Sequence, residues 1–378
     1  MKIVYDHQVF TFQKYGGVSR YLYELSTRMA NFDDCEVKIL AGLYINEYLK
    51  HCPPNLVDGW KRPSIPKTTR IVDYINNLIS KVWIKYDTPD ILHETYYTFD
   101  SIAANSSKTK KVITVYDMIH EKFADSAPKY ANLFLARKKD FFSIKLQAIK
   151  RADHIICISN STKKDLINIF DIDAQKIAVV YLGYSLSSAP SVTSKLYKQN
   201  SYHPYILYVG QREWYKNFSR LVKAYASHYS LNSNFNLLCA GGQKFSQDEL
   251  NLIDGLGLSE DKVLHINGND QTLAKLYSQA SAFVYPSLYE GFGIPILEAM
   301  SFGCPVVCSN TSSFPEVAGN AAEFFDPYDI ESIANALEKV LFDSDLTKKL
   351  VELGKARVKN FSWEKCAEQT HSIYASLL

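Results

Sequence analysis

At 378 residues, with 47% hydrophobic and 22% charged residues, the chain has the composition of an ordinary globular protein and is longer than one core usually supports. A net charge of +2 supplies no global field for nucleic acid, so no nucleic-acid partner is expected. The seven cysteines form no Cys-x-x-Cys pair and mostly sit in apolar runs such as Ile155-Ile-Cys-Ile158, which excludes a zinc framework and suits a reducing compartment.

The chain enters on a β-branched run, Lys2–Tyr5, with no leader and no 18-residue apolar span, which predicts a cytoplasmic protein, at most peripheral to the inner face of a membrane. Gln13-Lys-Tyr-Gly-Gly-Val-Ser-Arg20 joins that strand to a helix over Val18–Met29. Gly16 and Gly17 at a helix mouth suit a phosphate, although paired glycines also make plain turns. Glu36–Leu40 is the next strand. From Lys61 to Lys85 the chain is basic, with Trp60 and Trp83, and reads either as a face for an anionic membrane or as a solvated cationic surface. His93-Glu94 follows the apolar pair Ile91-Leu92 and lines a cleft or is buried. Strand Lys111–Tyr116 ends in Val115-Tyr-Asp-Met-Ile-His-Glu121, which sets Tyr116, Asp117 and His120 at a carboxyl end. A basic helix over Lys129–Arg151, strand His154–Ile158, helix Thr162–Phe170 and strand Ile177–Tyr181 follow.

Ser185–Pro204 is serine-rich and lacks apolar periodicity, so it divides the chain. The expected domains are residues 1–185, a linker 186–204, and residues 205–360. The closing segment 361–378 has helical spacing and either completes the second domain or crosses back to the first. Strands Tyr205–Val209, Asn236–Ala240, Val263–Ile266, Ala282–Tyr285 and Pro305–Ser309 alternate with helices such as Phe218–Ala226 and Leu273–Gln279. Such alternation predicts an α/β chain of two parallel sheets covered on both faces. Ligands of such sheets sit at strand carboxyl ends, so two of them would face a shared cleft.

Two segments of the second half carry chemistry. In Tyr208-Val-Gly-Gln-Arg-Glu-Trp-Tyr-Lys-Asn-Phe218, Arg212 and Lys216 occupy a turn before a helix, a fork and a point charge suited to a diphosphate. In Tyr285-Pro-Ser-Leu-Tyr-Glu-Gly-Phe-Gly-Ile-Pro-Ile-Leu-Glu-Ala-Met300, Glu290 and Glu298 lie eight positions apart around a helix mouth. Gly291 and Gly293 admit close approach, and Pro295 suits the first helical turn. Backbone amides there can hold phosphate while a carboxylate accepts from the hydroxyls of a ribose. Asp171-Ile-Asp173 and Asp343-Ser-Asp345 match a metal-binding Asp-x-Asp pattern, but neither neighbours these segments, so no metal is expected.

These motifs resemble the family 4 glycosyltransferases of the GT-B fold, two Rossmann-like parallel-sheet domains facing a cleft. The resemblance spans essentially the whole chain. It is carried by Glu290 and Glu298, Pro286-Ser-Leu-Tyr-Glu-Gly-Phe-Gly293, Leu297-Glu-Ala-Met300, Gly303-Cys-Pro-Val306, Pro315-Glu-Val317, Arg212, Lys216-Asn217 and Gly16-Gly17. It implies a retaining, metal-independent and cofactor-free transferase using a nucleotide sugar. By the same resemblance Glu298 binds the donor ribose and Glu290 the sugar hydroxyls near the reacting carbon. Arg212 and Lys216 hold the diphosphate, and Phe292-Gly293 supply backbone contacts. Many relatives carry His-Asp where this chain has Tyr116-Asp117; Asp117 keeps the catalytic position, and Tyr116, His120 and His93 are acceptor-side candidates.

The implied reaction moves a hexose from a GDP-sugar such as GDP-mannose to a glycan or lipid-linked saccharide, in O-antigen, capsule or exopolysaccharide synthesis. A lipid-linked acceptor would bring peripheral membrane contact. Two other readings stay open: a non-catalytic sugar-nucleotide-binding subunit, and a GT-B sugar-nucleotide epimerase.

Overall fold

The computed structural model describes residues 1–104, 106–123, 138–185, 204–212 and 214–378. Most of the expected linker (186–203) and the start of the expected basic helix (129–137) lie outside the described residues. The chain divides into two compact units, one of Met1–Gly183 with Ser362–Leu378, the other of Tyr184–Phe361.

The first unit contains β1 (Lys2–Tyr5), α1 (Gln8–Phe12), α2 (Gly17–Met29), β2 (Glu36–Tyr44), β3 (Val57–Lys61), α3 (Thr69–Tyr86), β4 (Ile91–Glu94), β5 (Lys110–Val115), α4 (Ile119–Lys122), α5 (Lys138–Arg151), β6 (His154–Cys157), α6 (Asn160–Phe170) and β7 (Ile177–Val179). Its strands form one parallel sheet in the order β3-β2-β1-β4-β5-β6-β7. Ile3 pairs with Val37 on one side and Ile91 on the other. Covered faces make continuous apolar runs the favoured strand sequence, and Ile113, Val115, Ile155 and Cys157 are accordingly buried against Ala148, Ile149 and Leu166.

The second unit contains β8 (Tyr205–Val209), α7 (Phe218–Ser227), α8 (Tyr229–Asn234), β9 (Asn236–Ala240), α9 (Gln247–Gly255), β10 (Val263–Ile266), α10 (Asp270–Gln279), β11 (Ala282–Tyr285), α11 (Ile294–Ser301), β12 (Val306–Ser309), α12 (Phe314–Ala318), β13 (Ala322–Phe325), α13 (Ile330–Phe342) and α14 (Ser344–Arg357). Its parallel sheet runs β10-β9-β8-β11-β12-β13. Tyr208, Phe218, Leu221, Tyr225, Val284, Val307 and Leu337 fill its core. In both sheets the strand order reverses beside the unit's first strand, between β1 and β4 and between β8 and β11. Such switch points open a crevice at the strand carboxyl ends.

The last helix, α15 (Trp363–Ser376), belongs to the first unit. The Ser362 hydroxyl caps it by accepting from Lys365 N at 3.1 Å. Glu364 pairs with Arg28 of α2 at 2.7 Å, and Tyr374 is buried beside Tyr5.

The Asp-x-Asp matches are helix-end devices. Asp171 ends α6 in a left-handed conformation (φ +51°), and the Asp173 side chain accepts from Gln175 N at 2.9 Å. Asp343 caps α14 by accepting from Asp345 N and Leu346 N at 3.0 and 2.9 Å.

Candidate active site

At the carboxyl ends of β8 and β11 two loops are tied together. The turn at Trp214–Lys216 follows β8, and residues 286–293 follow β11. Leu288 N donates to Tyr215 O at 2.7 Å. Buried Asn217 holds a left-handed conformation (φ +60°) and donates to Pro286 O at 3.0 Å and Pro327 O at 2.7 Å. From the other side, Thr311 donates to Leu288 O, and Ser312 accepts from Glu290 N at 3.0 Å. Ser313 donates to Phe292 O at 2.7 Å. The Ser287 hydroxyl within this loop is buried with no hydrogen-bond partner among the described residues.

This bracing sets Glu290 against Lys216, with Nζ 2.6 Å from Oε1. The ammonium also lies 5.2 Å from the Tyr215 ring and 5.8 Å from the Tyr285 ring. Burial, with the Glu290 charge next, pushes the Tyr285 hydroxyl well above its usual range, so it stays a neutral donor beside the pair. Gly293 (φ +106°) then turns the chain into α11, with Pro295 in the first turn. A Cβ on Gly293 would stand 3.3 Å from the Phe314 ring in a conformation side chains rarely adopt. Glu298 is 6% exposed, and Tyr277 donates to its Oε2 at 3.4 Å.

Arg212 is held elsewhere in the same region. Its Nε lies 2.7 Å from Glu249 Oε1, and its guanidinium stacks near Phe245 (4.8 Å) and Phe218 (5.6 Å). Glu249 also accepts from Ser246 N at 2.7 Å, completing the capping box of α9. Arg212 thus fastens the loop after β8 to the start of α9, while Lys216 faces Glu290; the two cations expected to act together have different partners.

Beside the same strands lies a cavity of about 120 Å³. The backbones of Gly210, Gly241 and Gly268 line it, with Thr272, Leu273 and Leu276 from α10. Flat glycine backbone opposite leucines suits a planar heterocycle. Gly210, Gly241 and Gly268 offer no side chain, so the sequence does not mark this cavity as a site.

In the first unit the carboxyl ends of β1, β4 and β5 gather polar groups. Asp6 is buried, and its Oδ1 accepts from Thr95 N at 3.0 Å, Gln8 N at 3.3 Å and the Thr95 hydroxyl. Burial pushes its carboxyl up to about 7, against the lowering by the Thr95 hydroxyl and with the Glu94 charge adding to the rise. The folded chain therefore keeps a proton that the unfolded chain has lost between the ordinary carboxylate range and about 7, and stability falls as pH rises through that window. Asp6→Asn keeps an accepting oxygen and cannot titrate. Its urea midpoint is expected to gain on the native protein as pH rises toward about 7 and to level above it; a constant difference would contradict the buried carboxyl.

Tyr116 is 7% exposed and donates to Thr95 O at 3.3 Å, with its ring edge on Tyr21. Asp117 accepts from Ile119 N at 3.1 Å, opening the short helix α4, and its carbonyl accepts from buried Lys145 at 2.6 Å. His120 packs on Phe141 at 4.9 Å. Gly16 and Gly17 stand at the mouth of α2, where Gln13 Oε1 accepts from Ser19 N at 3.1 Å. Gly17 has open space where a Cβ would be, and on Gly16 one would lie 2.6 Å from Gln13 Oε1.

The expectation that His93 faces an acceptor is corrected. It is fully buried in β4, with Nε2 2.9 Å from the Thr114 hydroxyl, Nδ1 on the Tyr374 hydroxyl and its ring stacked on Tyr5. Burial lowers its pKa to about 3, so it is a neutral core histidine.

Among the described residues, Asp34, Cys35 and His371 bring metal-ligating atoms within 4.8 Å of one another. They lie at the amino end of β2, on the edge of the sheet away from these loops, and His371 is bonded to Asp34 at 2.9 Å.

The family model for glycosyltransferase family 4 matches residues 15–188, and that for group 1 glycosyl transferases matches residues 194–357. The chain belongs to glycosyltransferase family 4. The first-unit match of this family 4 chain takes in Gly16, Gly17, Tyr116 and Asp117, and the second takes in Arg212, Lys216, Glu290 and Glu298. The chain is 34% identical over 238 residues to the O-antigen chain mannosyltransferase B of Escherichia coli, an alignment covering 61% of this chain and 62% of that protein. It is 30% identical over 300 residues to the serotype-specific mannosyltransferase WbdA of Escherichia coli, covering 76% of this chain and 36% of that protein. The chain therefore spans less than two thirds of either relative. Sucrose-phosphate synthase from Thermosynechococcus elongatus shares the fold, with a TM-score of 0.76 at 19% identity over 100% of this chain and 99% of that one. The family 4 chain has the GT-B architecture of two Rossmann-like parallel-sheet units, as its sequence predicts.

The residues that the family 4 motifs did not flag are the bracing ones. Ser312 and Ser313 are 22 and 23 positions from Glu290 along the chain, and only the fold brings them together. Asp6 is the first residue after β1, a position that carboxyl-end reasoning reaches once the strand is placed.

Proposed function

We propose that the chain transfers a hexosyl group, mannosyl by likeness to the O-antigen mannosyltransferases, from a nucleoside-diphosphate sugar to a glycan or lipid-linked saccharide of a bacterial surface polysaccharide. The observation that carries the reading is the Lys216–Glu290 pair, 2.6 Å apart at the β8/β11 switch point, beside the mouth of α11. The diphosphate lies on Lys216 and the amides of that mouth, where a cation and a helix N-terminus both favour negative charge. Glu290 accepts from sugar hydroxyls, Glu298 accepts from the ribose, and the base enters the cavity beside Gly210 and Gly241.

In the transfer, the bond from the anomeric carbon to the β-phosphate oxygen breaks as the acceptor oxygen bonds that carbon. The acceptor proton passes to the departing phosphate, on the same face, so the anomeric configuration is retained. Charge accumulates on the diphosphate, and Lys216 stabilises it most when water is excluded. Asp117 and Tyr116 belong to the acceptor side, with Arg212 supporting the diphosphate loop.

Two experiments test this reading. In a thermal-shift panel of GDP-, UDP-, dTDP- and ADP-sugars, one nucleotide series is expected to raise Tm well beyond free mannose, GDP-sugars first; no shift from any nucleotide sugar would overturn the donor site. Because Lys216 and backbone amides are assigned the role a divalent cation often plays, transfer is expected to survive exhaustive EDTA treatment. Loss of activity that Mg²⁺ or Mn²⁺ restores would contradict that assignment.

A further inference from the structure

Helix α3 of the first unit is built inside out. Its inward positions are Val72, Asn76, Ser80 and Ile84, an i, i+4 series that is half polar. Asn76 is fully buried and holds β2 in place: its Oδ1 accepts from Leu43 N at 2.8 Å, and its Nδ2 donates to Leu43 O at 3.1 Å and Thr11 Oγ1 at 3.0 Å. The outward face is the apolar one. Ile71, Tyr74, Ile75, Leu78, Ile79, Val82 and Tyr86 are all exposed, Tyr74 by 66% and Val82 by 57%. On a 3.6-residue period they form one stripe opposite the buried series, so this is a continuous patch and not scattered exposure.

Charge says what covers the stripe. Residues 60–86 carry six cations (Lys61, Arg62, Lys67, Arg70, Lys81 and Lys85) and one acid, Asp73, in a chain whose net charge is +2. Arg70, Lys81 and Lys85 are exposed and flank one edge of the stripe, placed to keep their ammonium and guanidinium groups in headgroups while their stems lie along apolar surface. Exposed Trp60 and Ile65 precede the helix. No helix among the described residues is long and apolar enough to cross a membrane.

We propose that the outward face of α3 docks the protein on an anionic lipid membrane, with Ile71, Ile75, Leu78 and Val82 entering the headgroup–acyl boundary and Arg70, Lys81 and Lys85 meeting lipid phosphates. This is independent of the transfer chemistry and can fail without it.

Flotation of the full chain with phosphatidylethanolamine–phosphatidylglycerol vesicles, against phosphatidylcholine vesicles, tests it. The native protein floats with the anionic vesicles, and salt weakens the binding. Ile71→Ser/Leu78→Ser/Val82→Ser lowers vesicle affinity by about ten-fold or more. Lys81→Glu/Lys85→Glu weakens binding to anionic vesicles specifically. All five substitutions are at exposed positions, and an unchanged thermal midpoint verifies the fold. Transfer to a soluble acceptor stays at the native rate in both variants. Absence of native binding, equal binding to neutral vesicles, or undiminished binding by both variants would overturn the proposal. So would a concentration-dependent dimer that the serine variant abolishes, because a second copy would then cover the stripe.

Discussion

Lys216→Ala is expected to lower kcat by about 100-fold, the effect of removing one preorganised charge partner of a developing anion. The ammonium has the right neighbours for that role. It is mostly buried, lies between two tyrosine rings and is balanced by Glu290 at 2.6 Å. A diphosphate bound there gains a cation whose position is already fixed. Lys216→Arg keeps the charge but replaces a point with a planar fork, so it is expected to recover only part of the loss. Glu290→Gln alone also impairs transfer, and the double variant Lys216→Ala/Glu290→Gln loses less than the product of the single losses, because the two groups act as a unit. Near-native kcat in Lys216→Ala would remove this lysine from the reaction.

Glu298→Gln is expected to act differently, through donor affinity. The side chain is 6% exposed, so the isosteric amide keeps the packing against Tyr277 while losing the charge. Hydrogen bonds to a charged group contribute about 1.5–3 kcal/mol, so kcat/KM for the nucleotide sugar should fall roughly 10- to 100-fold. The loss should appear mainly in KM, and inhibition by the free nucleotide should weaken by the same factor, since both carry the ribose. A variant whose donor KM is native, with kcat alone reduced, would place Glu298 at the reacting carbon instead.

How much of this was legible beforehand follows the physics of each element. Strands such as Asn236–Ala240 and Ala282–Tyr285 are short apolar runs between turn residues, and the sequence marks their ends. The strands that the sequence does not mark lack an apolar run bounded by turn residues. β3 (Val57–Lys61) is an edge strand carrying Asp58 and Gly59, residues depleted from strands. β4 (Ile91–Glu94) lies mid-sheet yet ends in His93 and Glu94, whose burial depends on the Tyr374 hydroxyl and on Arg151, the latter 2.7 Å from Glu94. β13 (Ala322–Phe325) is a four-residue edge strand. Helix α3 is not marked in the sequence, because its exposed apolar stripe and its buried Asn76 and Ser80 invert the usual pattern.

The site divides the same way. Glu290, Glu298, Gly293 and Pro295 are close in sequence, so one helix mouth displays their relation. The Lys216–Glu290 pair spans 74 positions and needs the switch point to form. The Arg212–Glu249 pair was hidden because Glu249 reads simply as the third residue of a capped helix. His93 illustrates the converse: a histidine near a strand end suggests chemistry, and only burial with both ring nitrogens bonded shows a core residue.

Incubation of the protein with GDP-mannose and a mannose-terminated acceptor, with products read by mass spectrometry and NMR, tests the central claim most directly. The account predicts an acceptor longer by one hexose, joined with the anomeric configuration of the donor and formed only when acceptor is present. An unmodified acceptor with every nucleotide sugar, or a donor converted to its epimer in the acceptor's absence, would contradict it.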